Sequence, residues 1–173
     1  LMEGDKMLFG SYDGIKTQAY NDNNEPYFYM EERFRPIDGL RVATMFKNDN
    51  DGNLWIGTSK GVWISNADST FMLSPEKYNY SGTIRDIGTD HNGDVFMSST
   101  SGYYRYFNGT FGLIRLKENE NSIVNCFVFN KANETLLGTY NGLFVGKGGR
   151  FQRINLGTEF NENIINFIEL DVN

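Results

Sequence analysis

One short pattern recurs four times along the chain and constrains its fold more than any other feature. In each copy an apolar run ends in a small residue, and a glycine follows four residues later. The small residues are Gly10, Gly57, Ser98 and Gly138, and the following glycines are Gly14, Gly61, Gly102 and Gly142. Successive copies lie 47, 41 and 40 residues apart. A fixed period of this size indicates structural units that bury their faces against neighbouring units.

Each unit is predicted to contain four strands. Short β-branched and aromatic runs between Gly, Asn, Asp and Ser clusters indicate an all-β protein with no convincing helix. The best copy predicts a hairpin of 54–56 and 61–64, with Gly61 at the positive φ of the turn. An apolar run precedes each later hairpin and a more polar run follows each hairpin. The preceding runs are 40–46, 84–87, 123–129 and 164–170, and the following runs are 27–30, 71–73, 111–115 and 151–154.

Four antiparallel strands stacked face to face with neighbouring units predict the blades of a β-propeller, with about four blades present. The predicted repeats are 1–38, 39–80, 81–120 and 121–160, with the inner strand of a further blade at 161–173. The chain then begins at a second strand. Four blades that close into a ring and a fragment of a larger ring both remain open. An open arc would expose apolar blade faces, which predicts self-association or packing against further blades.

Three aligned columns follow from the same phasing of the inner strands. Two are apolar and three residues apart, so both faces of these strands are expected to be covered. They contain Ala43, Ile84, Val124 and Ile165, and Phe46, Ile87, Phe127 and Ile168. The third column is polar and consists of Thr44, Arg85, Asn125 and Asn166. We expect it to point along a central channel, where water or a ligand satisfies the polar groups.

The segment Asn48-Asp-Asn-Asp-Gly-Asn-Leu-Trp-Ile-Gly-Thr-Ser-Lys-Gly-Val62 resembles the two-component regulator propeller repeat, with its Asp-x-x-Gly-Asn-Leu-Trp-Ile-Gly-Thr pattern. The other three copies are more degenerate. The resemblance implies the periplasmic sensor region of a hybrid two-component histidine kinase, of the type found in Bacteroidetes. Such propellers detect glycans, so it also implies an oligosaccharide ligand and a non-catalytic role for this segment.

Composition excludes several other functions. A formal net charge of −6 without a Lys/Arg run argues against nucleic acid as a partner. Apolar runs of a few residues predict no membrane insertion of this segment. Cys126 is the single cysteine, which excludes an internal disulfide, and its apolar surroundings predict a buried thiol. His91 is the single histidine and is expected on an exposed turn.

No cofactor, metal site or catalytic constellation is predicted. The turn at 48–52 fails as a calcium loop, because Lys47 and Thr58 fall where the first and the bidentate ligands are needed. The lone histidine and the absence of a Gly-x-Ser-x-Gly elbow leave no visible hydrolase. The alternatives to a ligand sensor are a scaffold for protein–protein interaction and a propeller lyase.

Blade topology predicts where a ligand binds. The face by which inner strands enter also collects the turns between second and third strands. Sugars bind to aromatic faces and planar hydrogen-bonding groups, and this face and the polar column offer both. The candidate ligand-binding residues are Tyr12, Arg41, Lys60, Arg85, Asn125, Tyr140, Asn141 and Asn166.

Overall fold

The computed structural model describes residues 1–3, 6–47, 52–116, 123–157 and 164–170. These residues form four antiparallel sheets of four strands each, paired in simple chain order. The strands are β1 (Met2–Glu3), β2 (Lys6–Ser11), β3 (Gly14–Tyr20), β4 (Pro26–Tyr29), β5 (Val42–Lys47), β6 (Leu54–Thr58), β7 (Gly61–Ser65), β8 (Thr70–Leu73), β9 (Ile84–Thr89), β10 (Val95–Ser99), β11 (Gly102–Phe107), β12 (Thr110–Ile114), β13 (Val124–Phe129), β14 (Thr135–Thr139), β15 (Gly142–Lys147) and β16 (Arg150–Arg153). The predicted all-β architecture of four-stranded antiparallel units is confirmed.

Sheets pack face to face in chain order. Within the described ranges, every substantial contact between sheets joins consecutive sheets. Each of the three interfaces holds its own apolar cluster. The representative buried side chains are Leu8, Ile15 and Ile56 between the first and second sheets, Trp55, Ile84 and Met97 between the second and third, and Phe96, Tyr103 and Leu137 between the third and fourth. The core is therefore divided into three layers between sheets.

The recurring small residue exists because an inner strand of the next sheet packs directly on it. A Cβ on Gly57 would lie 2.6 Å from Ile84 Cγ2, and one on Gly138 would lie 2.8 Å from Ile165 Cγ2. The second recurring glycine makes the turn, with φ of 133° at Gly61. Thus the small residue of each copy serves packing between sheets, and the glycine four residues later serves the hairpin.

A β-bulge interrupts each of β5, β9 and β13, and it shifts the first member of all three predicted columns by one residue. Val42 and Thr44 pair with β6 while Ala43 is skipped. Arg85 and Asn125 are the skipped residues of β9 and β13. Ala43, and not Thr44, is therefore equivalent to Arg85, and the predicted alignment of the first inner strand was wrong by one residue.

The two ends of the chain also differ from the predicted phase. The first sheet has an inner strand after all, because β1 pairs with β2 through two residues. Residues 164–170 are not a strand in the structure. They nevertheless lie along the fourth sheet, where Ile165 N donates a hydrogen bond to Thr139 O at 2.9 Å. The segment thus follows the path of a further inner strand without forming a ladder.

Two short helices were missed by the sequence analysis. A 3₁₀-helix spans Glu32–Ile37, and a four-residue α-helix, α1, spans Pro75–Tyr78. Both lie in links between sheets, and Asn79 ends α1 at a φ of 57°. Helices of four to six residues are too short to show helical periodicity in a sequence, so the strand pattern around them dominates. The turn considered for calcium lies largely at 48–51, outside the described residues.

Candidate functional site

The turns between the second and third strands share a face with the residues that precede the inner strands, as predicted. In three sheets, a turn amide donates a hydrogen bond to the carbonyl immediately before that sheet's inner strand. The pairs are Ser59 with Arg41 (2.9 Å), Thr100 with Thr83 (3.0 Å) and Tyr140 with Ile123 (3.2 Å). We call this surface the turn face. Main-chain hydrogen bonds therefore connect the turn to the start of the inner strand in the second, third and fourth sheets.

Threonine hydroxyls fix the two turns that carry the candidate residues Lys60, Tyr140 and Asn141. Thr58 Oγ1 donates to Gly61 O at 2.9 Å and accepts from Lys60 N at 3.1 Å. Thr139 makes the equivalent pair of hydrogen bonds, including one from Asn141 N at 2.9 Å. Because the hydroxyl satisfies the turn's main chain, the exposed side chains of these turns project from a fixed base.

Tyr12 and Arg41 are brought together on the turn face. The Arg41 guanidinium carbon lies 5.8 Å from the centroid of the Tyr12 ring. The Tyr12 side chain is 78% exposed. The link to the second sheet passes beside this turn, where Gly39 N donates to Asp13 O at 3.4 Å. An exposed aromatic ring beside a planar cation offers stacking and hydrogen bonding at one place.

Asn125 and Asn166 are also brought together. Asn125 Nδ2 donates to Ile165 O at 3.0 Å and to Asn166 Oδ1 at 3.2 Å. Arg85 occupies the same bulge position on the preceding inner strand, and its Nε is buried with no hydrogen-bond partner in the described part of the chain. Lys60 lies on the turn of the second sheet and Tyr140 on that of the fourth, so the third sheet separates them.

Asp86 is a polar residue of the inner strands that the sequence analysis missed. Its Oδ1 accepts hydrogen bonds from Ile87 N at 2.9 Å and Thr44 Oγ1 at 3.5 Å, and its Oδ2 accepts one from Phe127 N at 3.3 Å. The carboxylate therefore ties together inner strands of three sheets. Burial raises the pKa of Asp86 to about 6, although the two main-chain donors act in the opposite direction.

The lone cysteine and histidine lie where the sequence predicts. Cys126 is buried, and burial together with the nearby Asp86 charge raises the pKa of its thiol to about 11. A thiol of this kind stays protonated at neutral pH and is a poor nucleophile. His91 is exposed on the turn between β9 and β10, and its main-chain amide donates to Asn133 Oδ1 at 3.1 Å.

A cleft between the third and fourth sheets opens on the opposite face from the turn face. We call it the interblade cleft. Its volume is 390 Å³. The residues that line it are Asp90, Asn92, Asp94, Phe96, Tyr103, Arg105, Ile114, Phe129, Asn133, Thr135, Lys147, Gly148, Gly149 and Phe151. The sequence analysis predicted only an exposed turn at His91 and gave no sign of this cleft.

The rim of the interblade cleft is held by hydrogen bonds within and between two turns, the one at 90–94 and the one at 130–134. Asn133 Nδ2 donates to Asp90 Oδ2 at 3.2 Å, and Asp90 Oδ1 accepts from Asn92 N at 2.9 Å and Asp94 N at 3.0 Å. Arg105 Nη2 lies 2.6 Å from Asp94 Oδ2. The rim therefore connects the third sheet to the fourth through side chains that are already ordered.

The described ranges contain neither a candidate metal cluster nor a candidate membrane-spanning helix. No group of three or more His, Cys, Asp or Glu side chains there is arranged to hold a metal ion. None of the helices in those ranges combines the length and the apolar character needed to cross a membrane.

Comparison with solved structures identifies the arrangement of the sheets. The extracellular domain of the putative one component system BT4673 from B. thetaiotaomicron superposes with a TM-score of 0.76 at 18% identity, covering 99% of this chain and 24% of that one. The corresponding domain of the putative hybrid two component system BT3049 from the same organism gives 0.67 at 18% identity, with 99% and 25% covered. This chain is a β-propeller segment. It spans about a quarter of the length of these two domains.

Other propellers are similar as well. Virginiamycin B lyase from Staphylococcus aureus superposes with a TM-score of 0.64 at 13% identity, covering 94% of this segment and 56% of the lyase. No family model matches the propeller segment, and no curated protein matches it. At these identities the similarity establishes the fold, and the propeller predicted from the repeat is confirmed at that level.

Proposed function

We propose that this chain is a ligand-sensing segment of an extracytoplasmic propeller in a two-component signalling regulator, with a carbohydrate as its ligand and the periplasm as its location. One observation carries the proposal: the fold matches extracellular domains of putative one- and two-component systems over 99% of the chain. The resemblance of 48–62 to the regulator propeller repeat supports it independently. Signalling by the whole protein is part of the proposal, since this segment is only a fraction of such domains.

The turn face is the proposed ligand surface. Tyr12 and Arg41 provide an aromatic ring and a planar donor 5.8 Å apart, and Asn125 and Asn166 provide amides near the inner strands. Sugar rings stack on aromatic faces and take hydrogen bonds from planar groups, so both pairs suit a carbohydrate. Lys60, Tyr140 and Asn141 would extend the surface to neighbouring turns, as an oligosaccharide requires, while Arg85 would act at the inner strands.

In this proposal the segment binds without catalysing a reaction. The only histidine lies on an exposed turn of the opposite face, and the only thiol is buried with a raised pKa. Asp86, the carboxyl group with the most altered environment, accepts hydrogen bonds from three sheets and so serves the packing of inner strands. Turnover of a bound sugar would instead favour the lyase alternative.

A glycan panel tests the proposal. The chain is screened by thermal shift with neutral and acidic oligosaccharides, and saturable stabilisation is expected for at least one of them because binding to the folded state alone raises its stability. Tyr12→Ala and Arg41→Ala should each abolish most of that shift. Tyr20→Ala, an exposed tyrosine at the other end of β3, is the control and should behave as the parent. Stabilisation that survives both turn-face changes would contradict the proposed surface.

A second candidate, a protein–protein scaffold, is favoured by the outer face of the first sheet. Phe9 and Phe28 lie 5.4 Å apart in an edge-to-face pair and are 38% and 58% exposed. Met7 extends the same exposed apolar surface. We propose that another propeller blade covers it, either from the longer protein or from a second copy of this chain. The second and third sheets instead pack both faces against neighbouring sheets.

A further inference from the structure

We propose that the interblade cleft is a second binding site, distinct from the turn face, and that it takes a single neutral, polyhydroxylated ring such as one sugar unit. Both walls of the cleft belong to the third and fourth sheets. Its volume of 390 Å³ is at the lower end of the roughly 300–1,000 Å³ of small-molecule sites. A cleft of this size suits one ring and not an extended chain.

The inner wall of the cleft is aromatic. Phe96 stacks on Tyr103 with ring centroids 5.6 Å apart, and it packs against Phe129 at 5.0 Å. Phe151 meets the Tyr103 ring edge to face at 6.2 Å. These rings come from four different strands and hold one another in place. They present a rigid apolar surface of the kind on which the C–H face of a sugar ring stacks.

A buried hydroxyl without a partner points to a polar ligand. Tyr103 is 1% exposed, and its Oη makes no hydrogen bond of acceptable geometry among the described residues, although Thr135 lies beside it. Arg105 Nε, also in the lining, is buried and lacks a partner in the same part of the chain. A buried polar group left unpaired is destabilising, so both atoms are suited to a ligand hydroxyl. Burial keeps the pKa of Tyr103 well above its usual value, so the hydroxyl remains a neutral donor.

The charges of the lining favour a neutral ligand. Two carboxylates, Asp90 and Asp94, are balanced by two cations, Arg105 and Lys147. Arg105 is already paired with Asp94, and Lys147 Nζ donates to Ala132 O at 2.9 Å. A charged ligand would have to displace one of these partners. The hydroxyl groups of a neutral ligand can instead accept hydrogen bonds from the cations and donate hydrogen bonds to the carboxylates, while the existing Arg105–Asp94 and Lys147–Ala132 contacts stay in place.

The test is an NMR titration of the chain with methyl α-D-glucopyranoside and methyl β-D-galactopyranoside. At least one neutral probe should give saturable shifts at the amides of Asn133 and Thr135. Glucuronate and glucosamine, which carry opposite charges, should bind more weakly. Absence of saturable shifts at these amides with every neutral probe, or tighter binding of a charged probe, would overturn the proposal.

A hydroxyl deletion separates binding from folding. Tyr103→Phe should weaken the neutral probe by about fivefold, the loss expected for one neutral hydrogen bond, without lowering Tm because the hydroxyl has no internal partner. Tyr106→Phe changes a tyrosine on the opposite face of the same strand and should bind as the parent does. Equal affinity of Tyr103→Phe and the parent would refute the site. Tyr12→Ala should leave this titration unchanged, so failure here and failure of the turn face are distinguishable.

Discussion

At the scale of single residues, Gly57 shows how the repeat pattern acts. A Cβ there would lie 2.6 Å from Ile84 Cγ2 and 2.8 Å from Thr44 Cγ2, so alanine forces two inner strands outward. We expect Gly57→Ala to lower the free energy of unfolding by about 1–3 kcal/mol, the usual cost of overpacking, measured by urea denaturation. Gly112→Ala, on the outer strand β12, is the control, since the atom nearest to its Cβ would be Arg105 O at 3.9 Å. Equal losses at both positions would contradict the packing role.

Asp86 makes a prediction about pH. Its folded pKa of about 6 exceeds its ordinary 3.8, so between these values the folded protein binds more protons than the unfolded one, and stability falls as pH rises. Asp86→Asn removes this titration. Between about pH 4 and pH 7, the free energy of unfolding of the variant should rise by up to about 3 kcal/mol relative to that of the parent. Any difference that does not depend on pH adds a constant to this change.

Urea denaturation across that pH range measures this difference. The exposed Asp22→Asn serves as the control and should track the parent. Parallel curves for Asp86→Asn and the parent would show that the carboxyl group titrates normally in the folded protein.

At the scale of elements, the links between sheets carry more structure than their length suggests. Tyr80 lies in the link from β8 to β9, where its hydroxyl donates to Leu73 O and accepts from Val62 N at 2.9 Å. The side chain is 5% exposed. This one residue therefore fixes the link that leads to the third sheet against two strands of the second sheet.

Removing that hydroxyl tests the link. Tyr80→Phe leaves the buried Val62 N–H without this acceptor and should cost about 1–3 kcal/mol in thermal or urea unfolding. Tyr104→Phe is the matched control, because among the described residues its hydroxyl is hydrogen-bonded to the exposed Ser81 Oγ alone, at 3.3 Å, and a smaller loss is expected. A larger loss of stability for Tyr104→Phe than for Tyr80→Phe would contradict the role given to Tyr80.

The strands could be predicted from sequence to within about two residues because their determinants are local, although 164–170 is not a strand and the two-residue β1 was missed. Gly57 and Gly61 mark a packing contact and a turn within five residues, and every copy repeats the arrangement. The bulge was harder to place. Ala43 has no polar side chain to mark it, so the neighbouring Thr44 was taken for the equivalent of Arg85.

The interblade cleft could not be predicted, since its walls come from turns more than 40 residues apart. Asn133, on a turn of the fourth sheet, is hydrogen-bonded to Asp90, on a turn of the third sheet. Each residue alone fits an ordinary Asn/Asp-rich turn. The turn face was predictable because strand order alone decides which ends of the strands meet. Topology thus gave the location of a surface, while the shape of a cavity depended on side-chain contacts that no local pattern records.

At the scale of the whole molecule, the first sheet presents an uncovered face. Phe28→Ser should reduce self-association of the chain, because it removes a 58% exposed ring from the centre of that surface. Sedimentation equilibrium measures the effect. Phe107→Ser, similarly exposed at 57% on the third sheet, is the control and should leave the mass distribution unchanged. A strictly monomeric parent chain would contradict self-association through this face.

Contacts confined to consecutive sheets have a consequence for how the molecule loses structure. In such a series, cooperativity passes only from neighbour to neighbour, so opening is expected to start at the termini and advance inward. Amide hydrogens of β10 and β11, flanked by sheets on both sides, should exchange with deuterium more slowly than those of β2 and β3. If blades were added at either end, the strands that became interior would gain protection from exchange, and the sheets that open first would be the new terminal ones.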